Sequence, residues 1–147
     1  MIMAFRFETL LRLRKNQENL EQRSLAAHQN QLRARQAELA ALETSGESHR
    51  EGMHQRLREP VTARTLNLYH QYLESLGGRL RQQAQVVSEV VEKTEAQRQK
   101  LVASMKKRRV LEILKEREIL GRRRKMLKEE IALLDEISSS HWMAKNR

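Results

Sequence analysis

The chain has 147 residues, of which 33% are charged and 3% aromatic, and it contains one Pro and no Cys. Aromatic side chains supply much of the buried area of a compact core. This composition therefore argues against a layered globular fold and favours long helices with narrow apolar seams. The lack of Cys excludes disulfide bonds and thiolate metal sites.

The first predicted element is a helix over residues 5–44. No Gly or Pro occurs from residue 7 to residue 44, and Leu and Ala form two columns of residues seven apart. That spacing is typical of a coiled coil. A connection is expected over residues 45–60, where Gly46 would end the first helix in a left-handed conformation and Pro60 would open the next helix.

The second predicted element is a helix over residues 61–140, because apolar residues continue at alternating spacings of three and four. Gly77 and Gly78 lie inside it, and each costs about 1 kcal/mol relative to Ala, so a kink or a frayed joint is expected there. The predicted fold class is all-α, with two long helices forming an antiparallel coiled-coil hairpin within a single elongated domain, residues 1–147.

The second helix is expected to extend beyond the first. A connection centred near residue 52 would place Phe7 beside Arg98 and leave the rest of the second helix as an overhang. Residues 98–128 hold 13 of the 29 Lys and Arg residues and three acids, so this window carries the whole net charge of +10. An exposed apolar stripe of this size usually marks an interface. The stripe comprises Ile113, Ile119, Leu120, Met126, Leu127, Ile131, Leu133, Leu134 and Ile137.

The basic clusters at residues 106–109 and 122–125 allow three interpretations. They could form a solvated helix face, bind nucleic acid, or dock on an acidic protein surface together with the apolar stripe. No Asn occurs between Asn67 and Asn146 to contact a base edge. Arg117 and Arg124 fall within the apolar repeat, where a buried charge would weaken a zipper dimer. Sequence-specific DNA binding is therefore not expected.

Neither an enzyme nor a metal or cofactor site is expected. The five His have no Cys or carboxylate partners at ligand spacing, and the chain lacks a Gly-rich phosphate loop and a nucleophile with a base at motif spacing. The apolar run from Met1 to Phe5 is closed by Arg6, which is too short for a secretory signal or a membrane span. We therefore expect a cytoplasmic protein without direct membrane insertion.

Two tyrosines one helical turn apart, Tyr69 and Tyr72, lie with Leu73 and Leu76 next to the expected connection. Packing between the two helices would explain the leucines. Tyr is favoured where a ring is buried while its hydroxyl stays hydrated, so the tyrosines suit a contact with a partner.

Four segments together resemble the FliJ family of flagellar export proteins. They are FRFETLLRLRK at residues 5–15, YHQYL at 69–73, LEILKER at 111–117 and LDEI at 134–137. The resemblance runs across nearly the whole chain. It implies a non-enzymatic stalk of the flagellar type III export ATPase, similar to the stalk of the rotary ATP synthase. Such a protein enters the hexameric ATPase ring and contacts the export gate and chaperones, and is thereby associated peripherally with the inner membrane.

The resemblance also implies two sets of binding residues. Those for the export gate would be Leu42, Tyr69, Tyr72, Leu76 and Gln83. Those for the ATPase ring would be Phe5, Phe7, Arg12, Arg14, Lys115, Arg117, Arg122, Arg123 and Arg124. A stalk from a virulence secretion system is the nearest related interpretation. A nucleic-acid-binding coiled coil is the alternative from a different functional class.

Overall fold

The computed structural model describes residues 5–145 as two long α-helices that pack against each other, α1 (Glu8–Arg56) and α2 (Ala63–Lys145). The predicted all-α class is confirmed. Most of the apolar run at the start of the chain lies outside the described residues. The contacts divide the chain into two units. The first combines Met1–Glu18 with Ala103–Arg147, and the second is Asn19–Val102.

The first helix does not end where Gly46 was expected to cap it. α1 continues through Gly46 and Gly52 to Arg56, and no Gly among residues 5–145 has a positive φ. A Cβ built on Gly46 would lie 2.8 Å from Cδ2 of Leu76. The prediction of a left-handed cap was wrong, because Gly46 serves the close approach of Leu76 rather than the end of a helix.

The connection is short and covers residues 57–62. Its first residues continue the turns of α1, with the Leu57 amide donating to the Met53 carbonyl at 2.9 Å. Thr62 caps α2, since its Oγ1 accepts from the Thr65 amide at 3.3 Å and its carbonyl accepts from the Leu66 amide at 3.1 Å. Pro60 lies in the connection, so the prediction that it opens α2 was wrong.

The second unit has a narrow seam with polar layers in it. Met53, Leu76 and Val90 are its buried apolar residues among those that the structure describes. Gln97 is also buried, and its Nε2 donates to the side chain of Glu21 and, at 3.3 Å, to the carbonyl of the same residue. The glutamines that interrupt the apolar repeat of α2 are therefore hydrogen-bonded rather than unsatisfied.

A second polar layer comes from Gln83, whose Nε2 donates to Oε2 of Glu38 at 2.9 Å and to the carbonyl of Arg35 at 3.3 Å. Val90 is buried between the two polar layers. The helix α2 continues through Gly77 and Gly78 without interruption. The frayed joint that was predicted at these glycines does not form.

The first unit joins the beginning of α1 to α2 further along than expected. Lys115 Nζ donates to Glu8 Oε2 at 2.7 Å, and Arg108 pairs with Glu18. The predicted pairing of Phe7 with Arg98 was wrong, because the connection lies at residues 57–62 instead of being centred near residue 52.

Candidate docking surfaces

The last part of α2 in the first unit exposes a continuous apolar face. We call residues 119–145 the C-terminal segment, in which every residue from 123 onward is exposed. Eight of the nine residues of the predicted stripe lie here and are 43–67% exposed. The ninth, Ile113, is half-buried next to buried Leu111, so its predicted exposure was wrong. The contacts of Glu8 and Glu18 explain this, because α1 reaches further along α2 than the predicted pairing allowed.

Charge is divided sharply along this segment. Residues 122–128 contain five Lys and Arg and no acid, and residues 129–136 contain four acids and no base. The sign therefore reverses between Lys128 and Glu129. Lys125 Nζ lies 3.9 Å from Glu129 Oε1, and Arg122 pairs with Glu118.

Near the end of the segment two serine hydroxyls bond back to the helix. Ser139 Oγ donates to the Asp135 carbonyl and Ser140 Oγ to the Ile137 carbonyl, both at 2.8 Å. Side chains that bond to backbone carbonyls one turn earlier slightly destabilise a helix. This end of α2 therefore derives little stability from its own sequence.

Residues predicted to bind the ATPase ring fall into two groups. Phe5 and Phe7 pack edge to face, with ring centroids 5.7 Å apart, where α1 begins. Lys115 is joined to the same region by its bond to Glu8, and this bond is the main reason that the pKa of Glu8 lies below its ordinary value. Arg12 is exposed and Arg14 donates to Gln17 at 3.0 Å. Arg117 is exposed in α2, while the remaining three lie in the C-terminal segment, namely Arg122, Arg123 and Arg124.

Part of the basic cluster at residues 106–109 forms ion pairs inside the first unit. Arg108 pairs with Glu18 and also with Glu112, at 2.6 Å. The hydrogen bond from Arg108 lowers the pKa of Glu112, with the charge of Arg108 adding to the effect. This role of Arg108 was not predicted from the sequence, although Glu18, an acid in an apolar column, was a signal for a basic partner across the helix pair.

A groove of about 480 Å³ lies at the end of the second unit nearest the connection. Tyr69 and Tyr72 both line it, without Leu73 and Leu76 of the predicted patch, and the ring of His49 packs on Tyr72 with centroids 5.0 Å apart. His49 Nδ1 donates to the Ser45 carbonyl at 2.6 Å. We call this the aromatic groove, and its lining is Ser48, His49, Gly52, Met53, Arg56, Thr65, Leu68, Tyr69 and Tyr72.

The other predicted gate residues lie apart from the aromatic groove lining. Leu76 is buried against Gly46, Gln83 is hydrogen-bonded to α1, and Leu42 is half-buried. His49 and Met53 were not predicted as groove residues, because both fall in the segment that was expected to be a loop. Their spacing of four, continued by Arg56 three residues later, is the helical signal that could have identified them.

Within residues 5–145, neither helix contains a stretch that is long and apolar enough to cross a membrane. The same residues contain no group of three His, Asp or Glu side chains arranged to hold a metal ion.

Comparison with known families decides the assignment. A family model described as flagellar FliJ protein matches residues 3–147. The chain belongs to the FliJ family. It is thus a flagellar export-related protein, from a family of non-enzymatic components, and the resemblance found in the sequence is confirmed. Searches of curated proteins and of solved structures each gave no match.

Proposed function

We propose that this FliJ family protein is the stalk and adaptor of the flagellar type III export ATPase. It would insert into the ATPase ring, promote ring assembly and link the ring to the export gate and to chaperones. The observation that carries the proposal is the C-terminal segment, where exposed apolar residues and the five basic residues of 122–128 share one helix. Exposed apolar area on this scale favours a protein partner.

The proposed shape is an antiparallel hairpin with α2 overhanging. In the first unit Glu8 contacts Lys115 while Glu18 contacts Arg108. In the second unit Glu21 contacts Gln97 while Glu38 contacts Gln83. In each unit the partner's number falls on α2 as the residue number rises on α1, which favours the antiparallel arrangement.

Affinity for the ring would come mainly from the apolar face, and the basic residues would guide the encounter. Charges at the rim of an interface act chiefly on association rate and specificity, and salt screens them. An acidic, partly apolar pore would complement this surface. ATP hydrolysis would belong entirely to the partner.

The test is a titration of the cognate ATPase with the purified chain at near-physiological salt, measuring ATPase activity and ring assembly. Replacing Leu127 and Leu134 by Glu should abolish both responses. The matched control is Leu20→Glu, because Leu20 is equally exposed apolar surface but lies on α1 in the second unit. Equal loss from both changes would show that the response does not depend on the C-terminal segment.

The same preparation should be titrated with duplex DNA. Tight DNA binding with a steep salt dependence, combined with no response of the ATPase, would favour the nucleic-acid-binding alternative and contradict the stalk. Equal stimulation of a virulence secretion ATPase would favour the related secretion stalk.

We place gate binding at the aromatic groove, where Tyr72 and Tyr69 are accessible beside His49. Replacing both tyrosines by Ala should weaken binding to the export gate by about tenfold or more, since buried aromatic anchors commonly carry over 1 kcal/mol each. Leu66→Ala is the control, because Leu66 is exposed on α2 outside the groove lining. An unchanged gate affinity in the Tyr variant would limit the tyrosines to packing between helices.

A further inference from the structure

The apolar face of the C-terminal segment is almost symmetric about a point between Met126 and Leu127. Counting outward in both directions from that point, six apolar residues meet another apolar residue at the same distance, whereas Ile131 meets Arg122 and Ile137 meets Glu116. The pairs are Met126 with Leu127, Leu120 with Leu133, and Ile119 with Leu134. All six side chains are exposed. A second copy of the helix running in the opposite direction would therefore place these six apolar side chains against one another.

Two charged residues lie within this face and obey the same symmetry. Arg123 lies three residues after Leu120 and three before Met126, and Glu130 lies three after Leu127 and three before Leu133. At 3.6 residues per turn, both side chains project between the two apolar columns. In an antiparallel pair Arg123 of each copy would face Glu130 of the other copy, which gives two such contacts.

The order of charges selects this direction. A parallel pair in register would set Arg123 against Arg123 and the basic block 122–128 against its own copy. An antiparallel pair centred between Met126 and Leu127 instead sets Arg123 level with Glu130 and Arg124 level with Glu129 of the other copy, while Lys125 and Lys128, which project away from the apolar face, lie level with each other. Like charges forced together at an interface are destabilising, and a single polar layer commonly fixes orientation in coiled coils.

We propose that the C-terminal segment is a self-association surface, through which two copies of this chain form an antiparallel helix pair centred between Met126 and Leu127. The inference concerns the purified chain alone and does not depend on the proposed role at the ATPase. It requires only the exposed apolar face and the reversal of charge along it.

The first test measures the oligomeric state of the full chain by sedimentation velocity, where we expect a dimer at a concentration of about 100 µM. Arg123→Glu and Glu130→Arg should each weaken the dimer about tenfold or more, and the double exchange should restore it to within about threefold. Lys128→Glu is the control for net charge, since Lys128 projects away from the apolar face, and it should change the dissociation constant by less than about threefold.

The second test fixes the direction by disulfide formation, which is clean because the chain has no Cys. In the antiparallel pair the two copies of residue 134 lie about 22 Å apart along the axis, and a disulfide needs Cα atoms within about 7 Å. Leu134→Cys alone should therefore remain uncrosslinked, whereas a mixture of Leu134→Cys and Ile119→Cys chains should crosslink.

Three results would overturn the proposal. A monomer at about 100 µM would leave this face to a different protein. Efficient crosslinking of Leu134→Cys with itself would show a parallel pair. Failure of the double charge exchange to restore the dimer would remove the Arg123–Glu130 layer on which the direction depends.

Discussion

Substitution of Gly46 by Ala should change the free energy of unfolding in the opposite direction from the same substitution at the other helical glycines of this chain. Ala is favoured over Gly in a helix interior by about 1 kcal/mol. At Gly46 the added Cβ would lie 2.8 Å from Cδ2 of Leu76, a side chain that is only 4% exposed. Overpacking of this kind costs about 1–3 kcal/mol. We therefore expect Gly46→Ala to lower the free energy of unfolding by about 1 kcal/mol.

Gly52 is the matched control, because it lies in the same helix and its Cβ would meet nothing within 4 Å. Gly52→Ala should raise the free energy of unfolding by about 1 kcal/mol, so the two variants should differ by about 2 kcal/mol. Urea unfolding followed by far-ultraviolet circular dichroism measures both.

Leu76→Ala tests the cause. Once the obstructing side chain is removed, Gly46→Ala should become stabilising relative to Leu76→Ala alone, by about the same amount as Gly52→Ala. If Gly46→Ala stabilises the protein with Leu76 in place, the close approach of the two helices at this point is not a constraint and the reasoning fails.

Three further changes test the polar contacts and the helix cap. Replacing buried Gln97 by Ala should leave Glu21 without its amide donor and lower the free energy of unfolding by about 1–3 kcal/mol, against less than about 0.5 kcal/mol for exposed Gln85→Ala, both measured in urea. Thr62→Ala should cost about 1 kcal/mol and speed amide hydrogen exchange in the first turn of α2. Acid should destabilise the first unit, because the pKa of Glu112 is lowered from 4.5 on folding. That stabilisation is complete above pH 4.5 and is lost as the pH falls through the lower folded-state pKa, so Glu112→Gln should flatten the acid limb of a thermal-denaturation profile.

Each of these expectations has a clear contrary result. Equal losses of unfolding free energy in Gln97→Ala and Gln85→Ala would mean that the buried amide stabilises the fold no more than a surface contact does. Unchanged exchange at the start of α2 in Thr62→Ala would place the cap elsewhere. An acid limb that is the same with and without Glu112 would assign the pH dependence to other carboxylates.

The two helices could be predicted from sequence because heptad spacing continues for many turns in each. Their ends could not, because Gly46 has the same local signal whether it caps a helix or admits a neighbour. Only the position of Leu76 on the other helix distinguishes these cases. An error of several residues in the connection then shifted every predicted contact, which is why Ile113 was expected to be exposed and is half-buried.

The candidate surfaces were predictable to different degrees. Leucines seven apart identified the exposed face of the C-terminal segment, since exposure there requires only that α1 be the shorter helix. Tyr69 and Tyr72 were identified by residue type. His49 was missed, because its place beside Tyr72 depends on α1 continuing beyond Gly46. Gln83 stays a predicted gate residue, and its hydrogen bond to Glu38 could not be foreseen because it depends on the register of the two helices.

Because of its serines, the end of α2 should show by its hydrogen exchange whether a partner covers the apolar face. The hydroxyls of Ser139 and Ser140 donate to backbone carbonyls of their own helix, which slightly destabilises it. In the nearby Lys125–Glu129 pair the base precedes the acid, which is the less favourable order of charges in a helix. Backbone amides beyond residue 129 should therefore open most readily in the monomeric chain. Whatever covers the apolar face would slow hydrogen exchange there first, so the footprint of any binding partner can be mapped from these amides before its identity is known.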